Sequence, residues 1–125
     1  MQVLRKQNAG HLVTISSMSA IRGARRAITV YAATKAGLSS MTEGIRIDVL
    51  GTPIKVTTIH PGFIRTEINE KVETAPFIVD LETGCKAIVK DIEKEVANSY
   101  VPKWPWALFR YLFAIAPLSL LAKIG

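Results

Sequence analysis

The sequence predicts an α/β protein built on a parallel sheet of about three strands, with two to three helices and an apolar C-terminal tail helix. A short β-branched segment at residues 11–16 predicts a strand, and apolar residues at helical spacing predict a helix over residues 30–50. A second apolar strand follows at residues 54–59. Strand, helix and strand in this order are typical of a βαβ unit with parallel strands and a right-handed crossover. Because both strands are largely apolar, we expect a sheet covered on both faces.

The C-terminal part of the chain adds a connection, a helix and a third strand. Residues 63–79 predict a mobile connection, and residues 80–96 predict a helix with Asp80 as its N-cap. Residues 99–102 predict a short third strand. The apolar residues of the helix are expected to share one buried face: Leu81, Cys85, Ile88, Val89, Ile92 and Val96.

Composition excludes several classes of protein. The chain has 125 residues, which is one small domain, and 49% of them are hydrophobic, which excludes intrinsic disorder. The lone Cys85 excludes an intrachain disulfide and a cysteine-based zinc cluster. The net charge of +6 is scattered and interleaved with acids, so no nucleic-acid partner is expected. The first ten residues lack the apolar core of a secretory signal, which predicts a cytoplasmic protein.

The tail at residues 104–125 holds both tryptophans. Its uninterrupted apolar stretch, residues 111–122, is shorter than the roughly 20 residues that span a bilayer, and Pro117 divides it. Three interpretations stay open: a helix packed on the body or on a second subunit, a lid over an apolar substrate pocket, and an interfacial membrane anchor.

Three residues suggest proton-transfer chemistry. Tyr31 and Lys35 are four residues apart on the long helix, so both side chains lie on one helical face. An ammonium group near a phenol favours the phenolate, and such a pair is suited to donating and accepting a proton. Ser17 follows the first strand, at the edge where open parallel sheets bind ligands. His60 directly precedes a Pro-Gly turn without a nucleophile in pattern, which favours a structural role.

The order of these motifs resembles the catalytic half of a short-chain dehydrogenase/reductase. The resemblance covers residues 10–66: a strand ending in Ser16-Ser17, the pattern Tyr31-x-Ala-Thr-Lys35, and a second strand ending in Pro61-Gly62 with Thr66 beyond it. It implies a partial Rossmann-type fold, in which residues 1–103 form the C-terminal half of the catalytic domain and residues 104–125 form a separate tail.

The resemblance also implies roles for individual residues. Tyr31 would be the general acid or base, Lys35 would assist it and bind the nicotinamide ribose, and Ser17 would orient the substrate carbonyl. The spacing between Ser17 and Tyr31 is one residue longer than is usual in the family, so Ser16 remains an alternative. The residues expected to contact NAD or NADP are Tyr31, Lys35, Pro61, Gly62, Ile64 and Thr66.

The function implied is hydride transfer between nicotinamide and a carbonyl or secondary alcohol, for which the apolar tail suggests a lipid-like substrate. The family's glycine-rich pyrophosphate turn and its NAD/NADP selector are absent from these 125 residues. A bare strand edge would then make the chain marginally stable or oligomeric. Two alternatives to catalysis are a truncated remnant that only associates with other subunits, most simply as a homo-oligomer, and a protein that contacts membrane surfaces through its tail.

Overall fold

The computed structural model describes residues 1–67 and 77–124 and shows an α/β fold with three parallel strands in the order β1-β2-β3. The predicted fold class is therefore confirmed. The elements in chain order are α1 (Gln2–Gln7), β1 (Gly10–Ile15), a 3-10 helix (Met18–Ala20), α2 (Ile28–Asp48), β2 (Ile54–Pro61), α3 (Leu81–Glu93), β3 (Asn98–Val101), α4 (Lys103–Ile115) and α5 (Leu118–Ile124).

Helices α2 and α3 cover opposite faces of the sheet. Arg46 on α2 donates to the Thr58 hydroxyl, whereas the Asp91 carboxylate on α3 is hydrogen-bonded to the hydroxyl of Ser99. Ser99 pairs with Ile59, and successive strand residues point to opposite faces, so Thr58 and Ser99 face opposite ways. Both crossovers advance one strand in the same direction but pass over different faces. The crossovers from β1 to β2 and from β2 to β3 therefore have opposite hands.

Beneath α2 lies a small core centred on Val49, Ile54 and Val56. No element is predicted before residue 11, yet α1 contributes Leu4 to this core. Gly10 makes that approach possible, because a Cβ at this position would collide with the Leu4 side chain, and its φ of 147° also favours glycine. Six residues are too few for a helix that is stable alone, so α1 depends on this contact.

The Asp80 cap of α3 is as predicted, but the buried face of that helix is not. The Asp80 carboxylate accepts a hydrogen bond of 3.0 Å from the Thr83 amide, which lowers the pKa of Asp80. The buried stripe contains Gly84, where an added Cβ would lie 3.0 Å from the Ile64 side chain. Among the residues of the predicted face, Ile88, Ile92 and Val96 are half-buried, whereas Leu81, Cys85 and Val89 are exposed. The buried stripe thus contains Gly84 in place of the adjacent Cys85 of the predicted face.

The connection and the tail complete the fold. Of the connection at residues 63–79, residues 68–76 lie outside the described part, while Ile64 and Val79 form a parallel bridge. Pro117 separates α4 from α5, as its position in the sequence predicts. Within residues 1–67 and 77–124, the helices are all too short or too polar to cross a membrane.

Candidate active site

The predicted site residues gather at one edge of the sheet. Ser16 and Ser17 follow β1, Pro61 and Gly62 end and follow β2, and the first turns of α2 carry Tyr31. Because the strands are parallel, their carboxyl ends meet at the same edge, where open α/β sheets bind ligands.

The two neighbouring serines have different contacts. The Ser16 hydroxyl is buried and bonds to the Ser39 hydroxyl at 2.6 Å and to the Lys35 carbonyl at 3.1 Å, which fastens the end of β1 to α2. The Ser17 hydroxyl instead accepts a hydrogen bond of 3.1 Å from the Ser19 amide, at the start of the 3-10 helix. Ser17 is also buried, so the two serines differ in their hydrogen-bond partners and not in their burial.

Lys35 connects α2 to the outer edge of β1. Its ammonium donates to the Ile15 carbonyl at 2.8 Å and lies 5.8 Å from the centre of the Tyr31 ring. The Ser16 amide donates to the Ile59 carbonyl in β2, and the Ile15 carbonyl points the opposite way across the same trans peptide. Lys35 therefore caps a carbonyl that faces away from β2, and this contact holds the ammonium beside the phenol.

Tyr31 lies where a ligand can reach it. Its side chain is 45% exposed, and the Lys35 ammonium lies over one part of its ring. The structure thus brings together the phenol, the ammonium and the end of β1 that leads into Ser17. An exposed phenol with a cation beside it can exchange a proton with a bound substrate.

The four other residues predicted to contact the cofactor follow one another as the chain leaves β2. Pro61 pairs with Val101, and the Gly62 amide donates to the Val101 carbonyl at 2.7 Å. Ile64 and Thr66 come next, with Ile64 held in the bridge to Val79. This segment passes beside the carboxyl end of the sheet, in reach of a ligand bound there.

Helix α4 packs directly against Gly62. A Cβ on Gly62 would lie 2.8 Å from Cε2 of the buried Trp106 and still closer to Nε1. The absence of a side chain at Gly62 is therefore what allows α4 to pack on this turn.

We expect Gly62→Ala to lower the free energy of unfolding by about 1–3 kcal/mol, because the new methyl group must displace the Trp106 indole. Urea unfolding followed by tryptophan emission measures this loss. The matched control is Gly37→Ala on α2, where a Cβ meets nothing within 4 Å and alanine is the better helix former. Equal unfolding midpoints for the two variants would contradict the packing described here.

His60 has the structural surroundings that its position predicts. It is buried, stacks on Tyr100 with ring centres 5.0 Å apart, and places Nε2 3.4 Å from Oδ1 of Asn98. Burial lowers the pKa of His60, and Arg110 and Arg46 add smaller effects in the same direction, against the opposing contact with Asn98.

The lowered pKa of His60 predicts a pH-dependent stability. Below about pH 6.5 the unfolded chain binds the imidazole proton more readily than the folded chain. Stability should therefore fall as the pH falls from 7.5 to 5.5, and His60→Gln should reduce that dependence. Urea midpoints at the two pH values provide the measurement. An unchanged pH dependence in the variant would show that other groups produce it.

Comparisons with known proteins show the family to which the chain belongs. The family model described as short chain dehydrogenase matches residues 1–76. An uncharacterized oxidoreductase of Mycobacterium tuberculosis strain H37Rv is 38% identical over 118 residues, which cover 94% of this chain and 47% of that protein. An uncharacterized oxidoreductase of Myxococcus xanthus is 33% identical over 104 residues, covering 82% of this chain and 40% of the relative.

Solved structures share the fold. A short-chain dehydrogenase from Burkholderia cenocepacia in complex with NADP has a TM-score of 0.73 at 24% identity, covering 98% of this chain and 51% of that one. Another from Sphingobium yanoikuyae in complex with NADPH has a TM-score of 0.71 at 21% identity, covering 99% and 49%. The chain belongs to the short-chain dehydrogenase family. It spans about half the length of the curated relatives it matches.

Proposed function

We propose that this chain carries the proton-transfer half of an NAD(P)-dependent oxidoreductase that interconverts a carbonyl and a secondary alcohol. The observation that carries the proposal is the Lys35 ammonium, held between the Ile15 carbonyl and the Tyr31 ring at the end of β1 that leads into Ser17. Family membership and the NADP-bound and NADPH-bound structural neighbours support a nicotinamide cofactor.

The side chains present suit that cofactor. An ammonium has three N–H donors. One donor of Lys35 is hydrogen-bonded to the Ile15 carbonyl, so two can bind ribose hydroxyls. Pro61, Gly62, Ile64 and Thr66 would line the nicotinamide side. The bound nicotinamide supplies or accepts the hydride.

Each catalytic side chain then has a defined task. In reduction, as hydride reaches the carbonyl carbon, the Tyr31 phenol gives its proton to the carbonyl oxygen. The Ser17 hydroxyl donates a hydrogen bond to the same oxygen and fixes its position. Lys35 stabilises the phenolate that remains. In oxidation the phenolate takes the alcohol proton while hydride leaves the carbon.

Aromatic residues near the Gly62 turn favour an apolar, lipid-like substrate. Phe77, Trp106 and Phe109 form a cluster with ring centres 5.3 to 6.2 Å apart, and Trp106 packs against Gly62. Phe77 and Phe109 are each about 40% exposed, so the cluster presents apolar surface beside the proposed site. Contact of this surface with alkyl groups stabilises binding by about 0.8 kcal/mol per buried methylene.

The test is turnover by the complete gene product with a homologous series of methyl ketones, using NADPH and NADH in turn. We expect kcat/KM to rise at least about tenfold from 2-butanone to 2-undecanone, because the longer chain buries more methylene groups. Turnover confined to small polar ketones would contradict the lipid-like substrate. Absence of cofactor-dependent turnover with every carbonyl would contradict the enzyme itself.

A second candidate function is subunit association through α2. Several apolar residues of this helix are more than half exposed: Ile28, Val30, Met41 and Ile47. A helix with apolar residues all round is normally covered on more than one side. Sedimentation equilibrium tests this candidate, which predicts a homo-oligomer that Val30→Ser with Ile47→Ser dissociates. Association without any turnover would favour the non-catalytic alternative.

A further inference from the structure

The helix α4 has an apolar face on each side. Its inner side carries the buried Trp106, which packs on the Gly62 turn. Its outer side carries apolar side chains that the described residues leave uncovered. We call these the outer stripe, which continues into α5; its members and their exposed fractions are Trp104 (73%), Leu108 (51%), Leu112 (52%), Ile115 (80%) and Leu118 (75%).

Three members of the outer stripe share one face of α4. Leu108, Leu112 and Ile115 recur at helical spacing, Trp104 precedes them at the kinked start of α4, and Leu118 begins α5. Most exposed apolar residues on a protein surface occur singly. Five such exposed residues along two consecutive helices indicate a surface that something covers.

Charge around the outer stripe identifies its partner. The chain has no aspartate or glutamate after Glu95, whereas Lys103 begins α4 and Lys123 lies in the last turn of α5. The basic loop before α2 adds to this charge, because Arg22 donates to the carbonyls of Phe113 and Ala114 at the end of α4. Arg25 of the same loop donates to the Ala122 carbonyl in α5. Apolar surface on a segment that carries basic and no acidic residues fits an anionic lipid headgroup region.

We propose that α4 and α5 dock in the plane of an anionic lipid surface, with the outer stripe in the acyl boundary and the basic residues at the headgroups. The described helices do not span a bilayer, so this contact is peripheral. A second copy of the chain fits less well, because symmetric packing through the stripe would bring the like-charged Lys103 and Lys123 of both copies together. The docking does not depend on the proposed redox activity.

Vesicle co-sedimentation of the complete gene product tests the docking. The probes are vesicles of phosphatidylcholine alone and of phosphatidylcholine with phosphatidylglycerol. We expect binding to the anionic vesicles, a shift of tryptophan emission to shorter wavelength, and weakening by salt. The variant Leu108→Ser with Leu112→Ser should lower the bound fraction at least about tenfold. The matched control, Val3→Ser with Val89→Ser, removes apolar residues of similar exposure (64% and 52%) on α1 and α3 and should bind as before.

A second variant covers the case in which the leucine variant fails to fold. Lys103→Glu with Lys123→Glu leaves the apolar contacts intact and should also lower binding to anionic vesicles about tenfold or more. The proposal is overturned if the protein does not bind anionic vesicles, or if the control variant loses as much vesicle binding as the leucine variant. It is also overturned if the leucine variant turns an oligomer into a monomer while no form of the protein binds vesicles. The last result would assign the stripe to a second copy. None of these readouts measures turnover, so they stand apart from a failure of the enzyme assay.

Discussion

Replacing Tyr31 by phenylalanine is expected to lower kcat of the complete gene product by about two to four orders of magnitude, the usual contribution of a positioned general acid or base. The variant keeps the aromatic ring and loses only the hydroxyl whose proton the carbonyl oxygen needs. Because the side chain is 45% exposed, the unfolding midpoint should not change. The measurement is cofactor oxidation with 2-undecanone under saturating conditions.

Tyr111→Phe is the matched control, since this tyrosine is also about half exposed but lies on α4. It should keep kcat within about threefold, well below the effect of a general acid or base. Equal activity of the two variants would remove Tyr31 from the proton-transfer step.

Replacing Lys35 by methionine is expected to lower kcat/KM by about a hundredfold or more, because the change removes both a charge and a donor from the reacting region. The charge lies 5.8 Å from the Tyr31 ring, and the donors are those proposed for the cofactor ribose. KM for NADPH should rise together with the fall in kcat. The Ile15 carbonyl loses its ammonium partner, but it lies at an edge that water reaches, so we expect only a small loss of stability.

Lys90→Met provides the comparison for Lys35, because Lys90 is an exposed lysine in the last turn of α3. Lys90→Met should keep the kcat and the KM for NADPH of the wild type. A Lys35 variant with normal kcat and normal KM for NADPH would contradict both roles proposed for this ammonium.

Local patterns in the sequence predict the βαβ unit because its signals are local. The second β-branched strand is preceded by Gly51 and Pro53 and ends at Pro61 and Gly62. The helix between the two strands is long, so its apolar periodicity is clear. The third strand is also predicted to within a residue. By contrast, α1 is missed because its stability comes from contact of Leu4 with the core, which no local pattern reports.

The orientation of α3 shows a different limit of sequence patterns. Apolar periodicity indicates which residues can be buried together, but the approach of Ile64 to Gly84 decides which of them are. A glycine contributes no apolar signal, so the predicted face included Leu81 and Cys85, which are exposed.

The candidate site is only partly visible in the sequence. The four-residue spacing of Tyr31 and Lys35 follows from helical geometry alone. The different surroundings of Ser16 and Ser17 depend on Ser39, which lies 23 residues further along the chain and meets Ser16 only after α2 folds over β1. The roles of these residues remain predictions. For the tail, the sequence left three interpretations open, and the structure adds a packed inner face and an exposed outer stripe.

The most direct measurement of the central claim is the coupling between Ser17 and Tyr31. If both groups act on one carbonyl oxygen, their contributions to turnover are strongly non-additive. We predict that the double variant Ser17→Ala with Tyr31→Phe has a kcat within about threefold of Tyr31→Phe alone, although Ser17→Ala alone lowers kcat by about a hundredfold. Losses that multiply in the double variant, or a Ser17→Ala enzyme with full activity, would contradict a shared proton-transfer site.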